Sequence, residues 1–307
     1  MVTRRDIDSL KAWGFNSVRL AMHYNLFTPP VEEEPVAGEN SWLEKGFILT
    51  DSLLSWCAAN EIYLILDLHA APGGQGNDIP IADVDTTKAK LWESELNRRK
   101  TVALWGKLAA RYSDEPWIGG YDLINETNYP LEDNSELRRL FIEITGAIRE
   151  VDTNHIIFIE GNHFATDFRG VTPPWDDNMV YSFHKYWNPT TVETIQKYLD
   201  IRNQYNVPLW MGESGENNNE WYRSAVQLFE ADSIGWAWWT LKKLGSESGI
   251  MNVTIPDGYQ QIIDYWKGTG PAPSPDEAHA TLMQLTENIR IENCNVNYGV
   301  LKALFGR

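Results

Sequence analysis

The stretch 118-IGGYDLINETN-128 changes from an apolar strand pattern to adjacent polar side chains. Tyr121, Leu123 and Ile124 suit a packed strand, and a pair of glycines precedes them. Asn125 and Glu126 follow where the apolar run ends. Burial of a carboxylate is costly unless the group is hydrogen-bonded, paired or used. The stretch therefore predicts a buried strand that ends in a functional or satisfied glutamate.

Other apolar segments of strand length repeat this pattern along the chain, and several are apolar on both faces, as parallel strands covered by helices are. Longer amphipathic segments separate them and predict helices. This alternation predicts a parallel α/β fold. The predicted strands are 16–22, 62–69, 119–125, 155–161, 178–186, 207–213 and 234–241, and the predicted helices are 4–14, 49–61, 88–112, 136–151, 190–205, 219–232 and 277–289.

Two parallel architectures compete, an open doubly wound sheet and a closed barrel. No glycine-rich dinucleotide motif follows a strand, which disfavours the open sheet. A length of 307 residues suits a (β/α)8 TIM barrel as one domain over residues 1–307, with 244–307 as C-terminal helices and a tail. Since a helix comes first, we expect the barrel to lack its first strand, unless that strand precedes residue 4 or comes from residues 289–305.

Composition and charge exclude several classes of protein. The formal net charge of −17 disfavours nucleic-acid partners. No apolar run reaches the roughly eighteen residues of a membrane span. Cys57 and Cys294 are distant in sequence and indicate neither a disulfide framework nor a zinc site. The N-terminal residues lack the apolar core of a signal peptide.

Several predicted strands end in a polar, ionisable or aromatic side chain. In a parallel barrel all C-terminal strand ends lie on one face, where the active site forms. We therefore expect residues from distant parts of the chain to converge there. The set is Arg19, His69, Asn125, Glu126, His184, Tyr186, Glu213 and Trp239.

Two carboxylates in this set suit glycoside hydrolysis, which needs one acid to protonate the leaving oxygen and one carboxylate at the anomeric carbon. Glu126 and Glu213 are the candidates, and spacing alone does not say which has which role. The acid requires a raised pKa. Asn125 could bind the sugar 2-hydroxyl, while Tyr186 and Arg19 could hold Glu213 ionised. His69 and His184 suit substrate binding or tuning of the acid.

Each of these residues has a simpler interpretation, such as a helix cap, a structural ion pair or a buried histidine. Glu160 also ends a strand. Neither an HExxH motif nor a GxSxG motif occurs, so we predict no metal, no cofactor and no Ser-His-Asp triad. An aldolase would need a strand-end lysine, and we expect Lys185 to point outward.

The segments SVRL, LDLHAAPGGQ, LINETN, HKYW, WMGESG and WWTLK resemble, in their order, glycoside hydrolase family 5 of the retaining clan. The resemblance spans roughly residues 16–243. It implies a metal-independent catalytic (β/α)8 barrel with Glu126 as general acid/base and Glu213 as nucleophile. It places Arg19, His69, Asn125, His184, Tyr186 and Trp239 around the bond that is cleaved. Glu160 has no counterpart and is left out of the predicted site.

The resemblance implies a polysaccharide substrate and an extracellular or periplasmic location. The acidic chain favours a neutral polymer, and we expect an endo-β-1,4-glucanase. Other β-glucanase, mannanase and xyloglucanase activities remain open, as does a non-catalytic carbohydrate-binding barrel. An open barrel edge favours pairing with a second copy. The long loop 28–42 could form one wall of the cleft. Some aromatic residues in loops could be platforms for sugar rings, although each could equally belong to the core. They are Trp42, Tyr129, Trp175, Trp187 and Trp221.

Overall fold

The computed structural model describes residues 2–306, so the ends of the predicted domain, Met1 and Arg307, lie outside the described residues. Seven parallel strands form a nearly closed barrel with helices between them, a (β/α)8-like TIM barrel. Consecutive strands pair in sequence order. The strands are β1 (Ser17–His23), β2 (Tyr63–Ala70), β3 (Ile118–Asp122), β4 (Ile156–Glu160), β5 (Met179–His184), β6 (Leu209–Gly215) and β7 (Gly235–Trp239).

The helices around the barrel cover its strands. They are α1 (Arg4–Trp13), α2 (Glu44–Ala59), α3 (Ile79–Ala82), α4 (Glu95–Tyr112), α5 (Ser135–Arg149), the four-residue α6 (Asn162–Ala165), α7 (Val192–Tyr205) and α8 (Asn219–Ala231). At the start of α1, Asp6 Oδ2 accepts from both the backbone N–H and the hydroxyl of Thr3 at 2.7 Å. Gly14 ends the helix with a φ of 104°, which residues with a side chain rarely adopt. Ile7 and Leu10 of α1 are buried against the barrel.

Two predicted helices begin at other residues in the structure. The predicted helix 49–61 begins earlier, at Glu44. The predicted helix 88–112 begins only at Glu95, because Leu91–Glu93 form a 3₁₀ turn and Ser94 caps the helix through the backbone N–H of Asn97. A break in this long helical region agrees with the sequence, but the apolar pattern continues across the turn, so periodicity did not locate the break.

The C-terminal residues contain more than the predicted helices and tail. A small sheet of β8 (Lys242–Leu244), β9 (Met251–Val253) and β10 (Asn295–Val296) accompanies α9 (Tyr259–Trp266), α10 (Pro275–Asn288) and α11 (Tyr298–Phe305). The segment 289–305 therefore does not supply a barrel strand, since it forms β10 and α11. Helix α11 packs instead against α8.

The barrel is open between β7 and β1. No strand formed by residues 2–306 pairs with the free edge of either one. A cavity of about 600 Å³ lies along this seam, lined by apolar side chains that include Ile7, Phe15, Trp236 and Phe305.

The loop 28–42 is anchored to the barrel by a buried ion pair. Lys100 on α4 donates to Glu34 and to Thr28 Oγ1, and the side chains of both members of the pair are 2% exposed. Glu34 also accepts from the backbone N–H of Ser41 at 3.0 Å. None of the helices in residues 2–306 has the length and apolar character that crossing a lipid bilayer requires.

Candidate active site

The two glutamates of the predicted catalytic pair lie together at the C-terminal end of the barrel. Glu213 is part of β6, and Glu126 lies in the loop after β3, with each residue 7% exposed. An oxygen of Glu126 and an oxygen of Glu213 lie within 4.8 Å of each other. Glu126 has a φ of 39°, in the left-handed region that residues other than glycine rarely adopt. Such backbone strain is concentrated at functional sites.

Arg19 on β1 is the central cation of this site, and its side chain is only 5% exposed. Burial alone would lower the pKa of the guanidinium, but the surrounding carboxylates raise it well above its usual value, so Arg19 stays charged. Its contacts are Nε to Asp122 Oδ2 at 2.8 Å, Nη1 to Glu213 Oε2 at 2.9 Å and to Asp67 Oδ2 at 3.2 Å, and Nη2 to Glu160 Oε1 at 2.8 Å and to Asn125 Oδ1 at 2.9 Å.

Glu213 accepts two hydrogen bonds, one at each oxygen. The Tyr186 hydroxyl donates to Oε1 at 2.5 Å, and Arg19 donates to Oε2 at 2.9 Å. Burial and the nearby Glu213 carboxylate raise the pKa of Tyr186, so the phenol keeps its proton and remains a donor. Both contacts fix the orientation of the Glu213 carboxyl group, as a nucleophile requires.

Glu126 has a different environment, because its partner is an imidazole. His184 Nδ1 lies 2.7 Å from Glu126 Oε1. Burial would lower the pKa of His184, but Glu160 and the bond to Glu126 raise it well above its usual value. Burial would likewise raise the pKa of Glu126, but the charged His184 lowers it. The prediction of a raised Glu126 pKa is therefore wrong in this structure, because the contact with His184 outweighs the effect of burial.

His69 and Trp239 form one wall of the site. Their rings stack in parallel, with centroids 5.2 Å apart and an interplanar angle of 1°. His69 Nδ1 lies 2.8 Å from Asp67 Oδ2, and the pKa of His69 is raised because the charge of Asp67 outweighs burial. Asn125 is fully buried, and its Nδ2 lies 3.5 Å from His69 Nε2. The structure thus brings all eight predicted site residues together around one space.

Three further carboxyl groups belong to this cluster and were not predicted, namely Asp67, Asp122 and Glu160. All are at most 1% exposed, and all contact Arg19. Leaving Glu160 out of the site was wrong, because it also contacts His184 and the backbone of Glu126. A signal was present in the sequence, since an acid within a strand that is apolar on both faces needs a buried cation.

Lys185 is buried at 3% exposure, so the prediction that it points outward is wrong. Its Nζ donates to the backbone oxygen of Pro189 at 2.7 Å and to Thr194 Oγ1 at 3.1 Å. Burial lowers the pKa of Lys185 to about 8. The amine therefore fixes the segment before α7. We assign no catalytic role to Lys185, and the candidate reacting groups remain the carboxylates.

The predicted aromatic platforms differ in exposure. Trp187 is 74% exposed, and its ring lies 6.4 Å from the ring of Tyr186 in a stacked orientation. Trp175 stacks on Phe141 and donates to Thr145. Trp42 and Trp221 also pack against the core, and the Tyr129 hydroxyl donates to Glu93. Trp187 is therefore the platform candidate whose ring is largely free to receive a sugar.

Glu126, His184 and Glu213 are close enough in space for a metal ion. Several of their atoms already have partners, however. His184 and Glu126 contact each other, and both oxygens of Glu213 accept hydrogen bonds from Tyr186 and Arg19. We therefore do not assign a metal site to this cluster.

The chain was compared with known proteins. The family model for cellulase, glycosyl hydrolase family 5, matches residues 2–245. A β-xylosidase from Phanerodontia chrysosporium is 28% identical over 85% of this chain, and the chain spans 60% of that relative's length. Endoglucanase C from Acetivibrio thermocellus is 25% identical over 80% of this chain and 85% of its own. The crystal structure of endoglucanase Cel5A from Thermotoga maritima superposes with a TM-score of 0.69 at 16% identity, over 99% of this chain and 90% of that one.

Fold, site and relatives together define a glycoside hydrolase of the cellulase type that acts on β-glycosides. The matched region covers most of the chain, including every predicted site residue. The protein belongs to the cellulase family, glycosyl hydrolase family 5.

Proposed function

We propose that this protein is a retaining endo-β-1,4-glucanase that cleaves a neutral polysaccharide by double displacement. The observation that carries the proposal is the pair Glu126 and Glu213, whose oxygens approach within 4.8 Å in two different environments. Glu213 is fixed by a guanidinium and a phenol, whereas Glu126 is paired with an imidazole. Two carboxyl groups with separate environments are the pattern of an acid and a nucleophile.

In the first step, a Glu213 oxygen forms a bond to the anomeric carbon. The bond from that carbon to the bridging oxygen breaks, and Glu126 gives its proton to the departing oxygen. The proton reaches Glu126 across the 2.7 Å contact from His184. In the second step, Glu126 takes a proton from water, the water oxygen bonds to the anomeric carbon, and Glu213 leaves as a carboxylate.

The separation of the carboxyl groups supports retention of configuration. Retaining enzymes hold these groups about 5–5.5 Å apart, whereas inverting enzymes leave roughly 6.5–9.5 Å for a water molecule. The nearest oxygens of Glu126 and Glu213 lie within 4.8 Å of each other, which suits the shorter separation of retaining enzymes. Loss of the Glu213 charge in the covalent intermediate also suits the change of Glu126 from acid to base.

The choice of polymer rests on charge and on aromatic surface. A net charge of −17 disfavours anionic sugars. The exposed indole of Trp187, beside Tyr186, offers a flat apolar face for a second sugar ring. Of the two relatives described above, one is named an endoglucanase and the other a β-xylosidase. Other β-glucanase, mannanase and xyloglucanase activities are therefore the alternatives.

The test is release of reducing ends from a panel of neutral β-glucans, mannan and xyloglucan, with proton NMR of the first product anomer. We expect fastest release from β-1,4-glucan with a β-anomer first. Glu126→Gln should lower kcat by roughly 10²–10⁴-fold. Glu213→Gln should leave no measurable turnover. An α-anomer first would exclude retention, and a natively folded protein inactive on every polymer would favour the non-catalytic carbohydrate-binding barrel.

We further propose an extracellular or periplasmic location, because polysaccharides of this size do not enter cells. Cell fractionation with immunodetection tests it, and recovery in the cytoplasmic fraction alone would contradict it.

We also propose that the free edges of β1 and β7 allow two copies to associate, since unpaired edges favour strand pairing. Size-exclusion chromatography with light scattering tests this, and a monomer at all concentrations would exclude it.

A further inference from the structure

We propose that Glu160 is a positioning residue of this site, which holds both the backbone of Glu126 and the imidazole of His184 in the geometry for proton transfer. The inference rests on the proposed hydrolase mechanism and extends it to a residue beyond the two glutamates that react. Glu160 ends β4, and 1% of its surface is exposed.

Glu160 contacts both the acid–imidazole pair, Glu126 and His184, and the guanidinium of Arg19 that holds the nucleophile. Its Oε2 accepts the backbone N–H of Glu126 at 2.6 Å. Its Oε1 accepts from Arg19 Nη2 at 2.8 Å, and Arg19 in turn holds Glu213. The same oxygen lies 3.1 Å from His184 Nε2, at ion-pair distance although off the line of a hydrogen bond. One side chain therefore connects the acid, its imidazole partner and the cation of the nucleophile.

The contact with the Glu126 backbone has a geometric consequence. Glu126 adopts a left-handed conformation with φ 39°, which a residue with a side chain keeps only when its surroundings enforce it. A short hydrogen bond from its N–H to a buried carboxylate is such an enforcement. The side chain of Glu126 then has a fixed origin from which to reach His184 and the bridging oxygen.

The contact with His184 has an electrostatic consequence. The Glu126–His184 pair must hold one proton for the first step, and loss of that proton leaves a net negative charge beside Glu160. The Glu160 carboxylate opposes that loss, and it contributes to the raised pKa of His184. The other charged groups that face the pair are Glu213 from β6, Arg19 from β1 and His69 from β2.

Removing the charge of Glu160 should therefore release the proton at lower pH. In Glu160→Gln we expect the alkaline limb of kcat/KM to move to lower pH by about one unit. We also expect kcat to fall by roughly 10–100-fold. The glutamine side chain has only one oxygen, so its NH₂ group must face either the backbone N–H of Glu126 or the guanidinium of Arg19, and one of the two hydrogen bonds is lost. Glu160→Asp keeps the charge and withdraws it from the Glu126 backbone, so kcat should fall while the alkaline limb stays in place.

Asp122→Asn is the matched control. Asp122 contacts the same guanidinium at 2.8 Å and is equally buried, but neither His184 nor the Glu126 backbone is among its hydrogen-bond or ion-pair partners. Asn has the same size as Asp, so this exchange removes a carboxyl partner of Arg19 and leaves the contacts of Glu160 with His184 and Glu126 in place. The alkaline limb should not move in this variant. An equal shift in Asp122→Asn and Glu160→Gln would overturn the inference.

A measurement without substrate separates this inference from the proposed function. Nitrogen-15 NMR of the histidine rings, with His184 assigned by substitution, reports its titration in the wild type and in Glu160→Gln. A shift of the His184 titration to lower pH supports the inference even if no polymer is cleaved, in which case only the proposed function fails. An unchanged His184 titration in folded Glu160→Gln overturns the inference, whatever the activity. If Glu160→Gln does not fold, the kcat of Glu160→Asp decides, because wild-type turnover in that variant would refute the positioning role.

Discussion

Replacement of Arg19 by methionine tests the central ion cluster of the barrel. Arg19 pairs with Asp67, Asp122, Glu160 and Glu213 at 2.8–3.2 Å, and every member of the cluster is less than a tenth exposed. Removal of one partner from a buried ion pair costs about 3–5 kcal/mol, because it leaves an uncompensated charge. Since four carboxyl groups lose their cation at once, we expect at least this loss in the free energy of unfolding at about pH 7.

The loss should depend on pH in a definite direction. Burial and Glu160 already raise the pKa of Asp122 well above its usual value. A carboxyl group whose pKa is higher in the folded than in the unfolded state stabilises the fold only while protonated, so its contribution disappears as the pH rises through the folded-state pKa. Without Arg19, the neighbouring carboxyl groups should show the same behaviour. Arg19→Met should therefore be closer to wild-type stability at about pH 5 than at about pH 7.

The assay is thermal unfolding by circular dichroism at both pH values. For a chain of this size, about 3 kcal/mol corresponds to a decrease in Tm of roughly 5 °C. Arg169→Met is the matched control, since Arg169 is 84% exposed at its side chain and pairs with Asp167 on the surface. That pair should contribute at most about 1 kcal/mol. If Arg19→Met unfolds within about 1 kcal/mol of the wild type at both pH values, the cluster does not stabilise the barrel as argued.

Three other predictions concern separate parts of the molecule. Trp187→Ala should raise KM for long oligosaccharides by roughly 5–50-fold and leave kcat nearly unchanged, because the 74%-exposed ring binds the ground state and the transition state alike. Steady-state kinetics measures both constants, and a loss in kcat alone would contradict this prediction. Lys100→Met leaves Glu34 buried without its cation and should lower the free energy of unfolding by about 3–5 kcal/mol. Proteolysis in the loop 28–42 should become faster in this variant. Unchanged denaturant midpoints and cleavage rates would refute the role of this ion pair. Burial raises the pKa of the Cys57 thiol to about 12, so a thiol reagent at neutral pH should modify Cys57 only after unfolding; fast labelling of Cys57 in the native state, detected by mass spectrometry, would contradict its burial.

The sequence supported the prediction of the barrel and of the residues that converge, because both depend on local patterns. The apolar run 62-IYLILDLH-69 and its counterparts have the period and length of buried parallel strands, and such strands end on one face of the barrel. His69, Asn125, Glu126 and Glu213 therefore meet although distant in sequence. The ends of α2 and α4 were harder to predict, since capping by Ser94 depends on backbone conformation rather than on periodicity.

The interior ion cluster was less accessible to sequence reasoning. Asp67, Asp122 and Glu160 each look like an isolated acid in an apolar segment, and only the folded barrel shows that they share one guanidinium. The pKa of Glu126 was equally hard to predict from the sequence, because it depends on the approach of His184 from another strand. Interactions between distant strands thus decide the electrostatics, whereas patterns along the chain decide only which side chains face the site.

The balance of charge in the cluster has a consequence for catalysis. Glu126, Glu213, Glu160 and Asp67 surround the site with acidic groups, against one guanidinium and the imidazoles of His69 and His184. A sugar that passes through an oxocarbenium-like transition state develops positive charge at the anomeric carbon. A buried excess of carboxyl groups that is fixed before the sugar binds stabilises that charge without reorganisation, and it stabilises the neutral ground state much less. Arg19 therefore has two effects that must be balanced, since it keeps the acidic groups in the fold and also reduces the negative potential that they supply.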